Sequence, residues 1–582
     1  MRRLLLILLA LVLVGALGLA LSLRPSEDVV QETRPVATPA LLEAHCADHI
    51  GPPRVEQLGE RVFVAIGYDL ANTTLIRTDE GAVVVDVGMS PSRAAPMREA
   101  LLAASPGPVR ALVFTHSHID HVGGASVWVD GEDGPVDIWA TESFTEHFFK
   151  QYGVFRPAET VRGARQFGLH VDEESVPCSA LGRRIDLVAA LETGVRMPTK
   201  TFAEETSFTL GGVRFDLVEA HGETHDQLFV HVPELGALLP GDNWYRAFPN
   251  LYTIRGTTPR PADAWIASLD AMRARGASVL VPSHTVPVEG EAEVAAALTS
   301  YRDGIQWVRD QTIRGANALT PVDELAAATG LPEGVAGDAA LAELYGQIDW
   351  SVRALFANEL GWFDGRPETL YPPEPSGTAR RTVEMMGGAD AVRAAAVAAR
   401  AEDPRWSVHL LALLRDAGEG DEELAASLRA LAATVPNTNG RGYLLESAHE
   451  LEHGRQELAK PRPGDALVEA IPVALLFEVM QSRLIPERAG GVHESLEVAI
   501  EESGVTTRYH VTVRNRVAEL WTGEPLPGTP APVAVLATDA ATWRRVALGQ
   551  AKPAPLVASG ALRIEGSEIG LKRFLDRFER GI

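Results

Sequence analysis

The chain has 582 residues, a length that implies two to four domains. Its composition, 46% hydrophobic and 23% charged, is that of a folded globular protein rather than a disordered or fibrous one. A formal net charge of −25 excludes a nucleic-acid binder that works through a basic face.

At the N-terminus, Arg2 and Arg3 precede an uncharged, mostly apolar run from Leu4 to Leu23, which Arg24 closes. Such a run is long enough to span a bilayer and also fits a long signal-peptide core. Residues 1–24 are therefore expected to be a cleaved signal or an uncleaved anchor that tethers an exported chain to an inner membrane. Either reading places the bulk of the protein outside the cytoplasm, in a periplasm. Residues 25–48 are polar and dotted with proline, the character of a linker. The two cysteines, Cys46 and Cys178, belong to no CxxC; in an oxidising compartment they either pair or stay as buried thiols.

From residue 49 the pattern turns to short β-like runs. RVFVAIG, NTTLIRT and AVVVDVG form a meander, with Asp79-Glu80-Gly81 as a turn. A helix is predicted around Ser90 to Ala104, then a buried strand VRALVFT. Further strands are VRFDLVEA, QLFVHV, ALLPGD and SVLVPSH, with a helix at Pro261 to Gly276 before the last. Between about 300 and 460, segments such as WSVHLLALLRDAG and DEELAASLRALAATV carry apolar residues at i, i+3 and i+4, which suggests stacked helix pairs. Lys460 to Gly464 marks a second boundary. Beyond it SLEVAIEE and TRYHVTV alternate with period two around a Ser503-Gly504 turn, and helices follow at Asp539 to Gln550 and Ser567 to Arg580.

The chemistry concentrates in THSHIDHVGG, residues 115–124, at the C-terminal end of VRALVFT. His116, His118, Asp120 and His121 form HxHxDH, and neutral imidazoles with a carboxylate suit zinc. Adjacent Asp120 and His121 cannot easily share one ion with His116 and His118, so two ions fit the motif better. Gly123-Gly124 permits a tight turn into a helix. Downstream ligand candidates, each after a strand-like run, are His221, Glu223, His225 and Asp226 in AHGETHDQ, Asp242 in PGDNW and His284 in PSHTVP. Asp242 suits a bridging carboxylate and His284 a terminal imidazole.

HxHxDH followed by GD and SH resembles the metallo-β-lactamase superfamily over roughly residues 55–300. Asp86 in VVVDVG matches the family's carboxylate that supports the ligands. Where most members carry a ligating histidine in a GHT-like triplet, this chain has Gly222-Glu223-Thr224. A glutamate there resembles the alkylsulfatase branch, which hydrolyses dodecyl sulfate. The resemblance implies His116, His118 and Glu223 on one zinc, Asp120, His121 and His284 on the other, and Asp242 between them. NLYTIRGT at 250–257 looks like the branch's sulfate-binding segment. Asn250 and Arg255 would clasp the sulfate oxygens, and with Asp120 they are the expected catalytic residues; a guanidinium presents a planar fork to an oxyanion. LGWFDGRPETLYP and VEMMGGADAV resemble the branch's dimerisation domain, and residues 465–582 its sterol-carrier-like C-terminal domain.

The implied architecture is multidomain. An αβ/βα metallo-β-lactamase sandwich (49–310) precedes an all-α dimerisation domain (311–460) and a small α+β sterol-carrier-like domain (465–582). The implied activity is hydrolysis of an alkyl sulfate, or a related amphiphilic anionic ester, by a homodimer carrying two Zn2+. Two departures stand out. The branch's bridging glutamate is Asp242 here, and a branch tyrosine before a glycine falls near Phe167-Gly168, which bears on the preferred substrate rather than the reaction class. The competing readings are a related hydrolase of lactones, phosphoesters or β-lactams, and a tethered lipid-binding protein with a vestigial metal site.

Overall fold

Alternating and continuous apolar runs of five or six residues, too short for helices, pair into two sheets. The computed structural model describes residues 32–33, 37–130, 134–151, 153–185, 192–458 and 463–579. The expected anchor or signal at 1–24 lies outside them. No helix among the described residues is long and apolar enough to cross a membrane.

The first sheet holds β1 (Arg54–Leu58), β2 (Val62–Ile66), β3 (Thr73–Thr78), β4 (Gly81–Val85), β5 (Val109–Val113), β6 (Asp137–Thr141) and β7 (Lys200–Phe202), side by side in chain order. The first four pair antiparallel, and β4 to β7 run parallel. The second sheet holds β8 (Glu205–Leu210), β9 (Val213–Glu219), β10 (Leu228–Val232), β11 (Ala237–Leu239), β12 (Val279–Leu280) and β13 (Val288–Glu289). The sheets pack face to face. Val64, Ile66, Val83 and Val113 of one share a buried core with Phe215, Leu217, Leu228 and Val230 of the other.

Helices cover both outer faces. On the first sheet, α2 (Pro91–Ala104) buries Ala94, Met97 and Leu101. On the second, α5 (Ala262–Arg273) and α6 (Glu291–Asn317) bury Trp265, Leu269, Val294, Leu298 and Tyr301. This is the αβ/βα sandwich, and it sets the loops after β4, β5, β9, β11 and β12 around one site.

Two differences from the sequence expectation have local causes. Part of the expected linker is a helix, α1 (Pro39–His49): Thr38 caps it by accepting from the Leu41 N–H, Pro39 occupies its first turn, and Leu42 is fully buried. Polar composition hid that single anchoring face. Cys46 on α1 forms a disulfide with Cys178. The boundary placed at 310 falls inside α6, a single 27-residue helix that carries the chain out of the sandwich.

The helical region includes α7 (Ile348–Leu360), α8 (Pro375–Met385), α9 (Ala389–Ala399), α10 (Pro404–Ala417), α11 (Leu424–Thr434) and α12 (Thr438–His453). The C-terminal region is a five-stranded sheet, β14 (His493–Glu502) through β18 (Leu562–Gly566). Between them come β15 (Val505–Arg514), β16 (Val517–Thr522) and β17 (Pro532–Asp539), in the order β16-β15-β14-β17-β18. Ser503 and Gly504 turn between β14 and β15 as the alternation predicts.

Two more helices of the sandwich region, α3 (Phe144–Gln151) and α4 (Arg156–Phe167), had no clear sequence signal. Each is braced by an accessory domain. Phe148 and Phe149 of α3 join the core that contains Val473, Leu476 and Phe477 of the C-terminal region. On α4, Arg165 makes a bidentate contact with Glu450 of α12, and just beyond it His170 lies 2.5 Å from Glu446.

Candidate active site and metal centre

β5 ends at Val113, and the chain then presents His116 and His118 from a loop and Asp120 and His121 from a one-turn helix, Ile119–Val122. The turn closes tightly. A Cβ on Gly123 would lie 1.7 Å from the Met89 carbonyl oxygen, so only glycine fits there. Glu223 follows β9, Asp242 follows β11 and His284 follows β12. All seven of these side chains are buried.

The ring nitrogens facing away from the site are tied down. The His121 Nδ1–H donates to Asp86 Oδ2 at 2.8 Å, and the His284 Nδ1–H donates to the Leu70 carbonyl at 2.9 Å. These bonds fix the tautomers so that both Nε2 lone pairs face inward. His116 Nδ1 meets the Thr115 hydroxyl at 3.0 Å. Its Nε2 lies 2.9 Å from His118 Nδ1, so the two rings face each other across the site.

Asp242 stands in the middle. Its Oδ1 is 3.1 Å from His284 Nε2 and 3.5 Å from His121 Nε2, and its Oδ2 is 3.7 Å from His116 Nε2. Asp120 Oδ2 lies 3.3 Å from His121 Nε2 and 3.7 Å from His284 Nε2.

Three ligand groups result: Asp120/His121/His284, His118/Glu223/Asp242 and His116/His121/Asp242, the donor atoms of each within 4.8 Å of one another. The first coincides with one expected set. The other expected set, His116/His118/Glu223, is brought together in two overlapping pieces, with Asp242 joining both. His221 and His225 belong to none of the groups; His221 Nε2 faces Glu219 at 3.2 Å and His225 Nε2 the Pro259 carbonyl at 2.9 Å.

The donor chemistry fits metal. Three buried atoms at the centre, His121 Nε2, Glu223 Oε2 and Asp242 Oδ1, have no hydrogen-bond partner among the described residues. A buried lone pair left without proton or cation is costly, and one cation set satisfies all three. The electrostatics agree. Burial holds His116 down to about 3, a neutral imidazole at any ordinary pH. Burial would raise Asp242, but the neighbouring His284 and His121 outweigh it and hold the carboxyl well below the usual range.

The cluster forms the floor of a cavity of about 190 Å3. Leu70, Met89, Ile119, Leu181 and Phe167 give it an apolar wall, while Arg255, Arg156 and Glu159 add charge. The Arg255 guanidinium lies 3.4 Å from His118 Nε2, and its backbone N–H donates to Gln166 Oε1 at 2.8 Å. Phe167, at the end of α4 before the left-handed cap Gly168, lines the cavity without a hydroxyl to offer. Asn250 does not line it. Its side chain is buried with Oδ1 unpartnered, and its carbonyl accepts from Arg260.

Sequence reasoning passed over three residues. Arg260 is buried, and its Nη1 donates to Glu223 Oε1 and to the Asn250 carbonyl, both at 2.5 Å. Gln166 holds Thr253 and Arg255 through one oxygen. Tyr345, from the helical region, reaches the cavity wall. Only Arg260 carried any signal, an arginine fixed between two prolines.

Residues 66–284 match the metallo-β-lactamase superfamily, residues 321–454 alkyl sulfatase dimerisation, and residues 463–581 the alkyl sulfatase C-terminal family. A linear primary-alkylsulfatase of Pseudomonas sp. is 30% identical over 525 residues, which cover 87% of this chain and 98% of that protein. The chain belongs to the alkylsulfatase family. Within that family, an (R)-specific secondary-alkylsulfatase of Pseudomonas sp. is 28% identical, with 78% of this chain and 71% of the other covered. The solved structure of the stereoselective inverting sec-alkylsulfatase Pisa1 from Pseudomonas sp. superposes with a TM-score of 0.81 at 25% identity, covering 91% of this chain and 85% of that one. The alkylsulfatase architecture is thus present in order: sandwich, helical dimerisation region, C-terminal α/β region.

Proposed function

We propose that the chain hydrolyses alkyl sulfate esters to alcohol and sulfate with two zinc ions. His116, His118 and Glu223 would hold one, Asp120, His121 and His284 the other, and Asp242 both. The observation that carries this reading is the floor of unpartnered donor atoms beneath a cavity with an apolar wall, where the guanidinium of Arg255 stands beside His118. That polarity matches an amphiphile, with an anionic head at the floor and an alkyl tail along Leu70, Ile119, Leu181 and Phe167.

Two bound zinc ions supply a water whose pKa falls to about 7. The chain's own groups do the rest. Arg255, held through Gln166, binds the sulfate oxygens. Asp120, which lines the cavity, orients the attacking water. Sulfate is a far better leaving group than alkoxide, so the carbon–oxygen bond breaks: water oxygen bonds to carbon, its surplus proton passes to solvent, and the old ester oxygen departs with sulfate. In oxygen-18 water the label is expected in the alcohol; label in the sulfate would contradict carbon–oxygen cleavage. A panel of dodecyl sulfate, a lactone, a phosphodiester and a β-lactam separates this reading from other hydrolases of the superfamily, with turnover expected for the sulfate ester alone.

A homodimer is part of the proposal. Trp362 and Tyr371 are 76% and 91% exposed, and Met385 is exposed nearby, in the region that matches the dimerisation family. Large apolar side chains exposed along one stretch of the chain support a surface that is buried in an assembly. An exported, oxidising location is supported by the Cys46–Cys178 disulfide.

A further inference from the structure

We propose that Arg260 is a positioning residue built as the counter-charge to Glu223: it fixes which carboxylate oxygen faces the metal and cancels the charge this ligand brings. The inference rests on the two-metal reading above.

Glu223 joins His118 and Asp242 in one ligand group. It is held by its backbone and by its side chain. Its N–H donates to Asn243 Oδ1 at 3.3 Å, and the same oxygen would lie 2.0 Å from a Cβ on Gly222, so the backbone has no room to move. Its Oε1 accepts from Arg260 Nη1, while Oε2 is left buried and unpartnered. The arginine therefore divides the two oxygens between two jobs. One takes the fixed hydrogen bond, and the other keeps its lone pairs for a cation.

Arg260 itself is only 2% exposed. A buried guanidinium is tolerated only beside an anion, and Glu223 is its one ion-pair partner among the described residues. The backbone around it is stiff. Pro261 restricts Arg260 to extended conformations and begins the entry to α5, and Pro259 fixes the residue before. Through the same Nη1, Arg260 holds the Asn250 carbonyl, at the start of the segment that delivers Arg255 to the cavity. One guanidinium nitrogen thus joins a metal ligand to the sulfate-binding segment.

The charge argument has a direct consequence. A neutral imidazole at position 223 would need no counter-charge, and beside it Arg260 would be an unpaired buried cation repelling the metal. The two positions should therefore be coupled, and a double-variant cycle measures that coupling. The experiment is elemental analysis of zinc in the purified full chain after dialysis against a weak chelator. It compares wild type, Arg260→Gln, Glu223→His and the double variant, with circular dichroism on each.

Wild type is expected to hold about two zinc ions, each single variant about one, and the double variant again about two. Recovery in the double variant is what a merely structural arginine would not produce. Arg260→Gln retaining both ions at wild-type affinity would overturn the proposal. So would a folded double variant no better than the singles. If Arg260→Gln fails to fold, recovery of fold and metal together in the double variant still supports the coupling. Wild type without metal would overturn the reading underneath, a result seen before any variant is compared.

Discussion

Asp86 accepts from the Thr115 N–H, the Thr115 hydroxyl, the Ser283 hydroxyl and the His121 Nδ1–H, all between 2.7 and 2.9 Å. It does so from a left-handed backbone, φ 56°, which a short polar side chain tolerates better than most. One carboxylate thereby ties together the ends of β4 and β5, the loop that carries His284, and the tautomer of His121. Asp86→Asn keeps the shape but can present a donor to His121 Nδ1 where an acceptor is needed. Zinc affinity is expected to fall about 10- to 100-fold, read by competition with a chelator. Unchanged affinity would show that His121 is oriented by packing alone. At this scale the sequence was most legible in THSHIDHVGG, because dense imidazoles after a buried strand have few other uses. Arg260 and Gln166 were illegible for the opposite reason: each is an ordinary polar residue until the fold places Glu223 or Arg255 against it.

The helix α4 shows how an element outside the histidine and carboxylate cluster shapes the cavity. Its Gln166 holds Arg255, its Phe167 forms the wall, and its partner is α12 of the helical region. The close approach is at Gly442, where a Cβ would lie 2.5 Å from the Gln166 carbonyl oxygen. Helix propensity alone favours Gly442→Ala by about 1 kcal/mol. The contact is with backbone, which cannot swing aside, so the clash should prevail and push α4 outward. Gly442→Ala is expected to lower kcat/KM for the sulfate ester while zinc content and helical signal stay at wild-type levels. Unchanged kcat/KM would mean that α4 shifts without moving Arg255. Neither α3 nor α4 was foreseen from the sequence. FTEHFFKQ buries Phe144, Phe148 and Phe149 on one face but is only eight residues long, and RPAETVRGARQF is largely polar; what covers each helix is an accessory domain distant in sequence.

Across the whole molecule, the three regions are not beads on a string. α6 runs from the sandwich into the helical region, Tyr345 of that region lines the catalytic cavity, and the C-terminal core takes in Phe148 and Phe149. The order of the regions was legible because each keeps its own periodicity, alternating in the sheets and helical between. Their shared cores were not, because contacts between distant segments leave no local pattern. The disulfide belongs to this scale. It closes a sequence separation of 132 residues and fastens α1 to the loop after α4. In the chain-entropy account a loop of that size is worth about 4 to 5 kcal/mol. Reduction is expected to lower the Tm by several degrees, and an unchanged Tm would mean that Cys46 and Cys178 contribute nothing to the fold. The most direct measurement for the whole account is sulfate release from dodecyl sulfate by the purified protein, before and after a chelator and again after zinc is restored. The account expects release that the chelator abolishes and zinc recovers. Sulfate release that persists in metal-free protein, or none from protein carrying both ions, would contradict it.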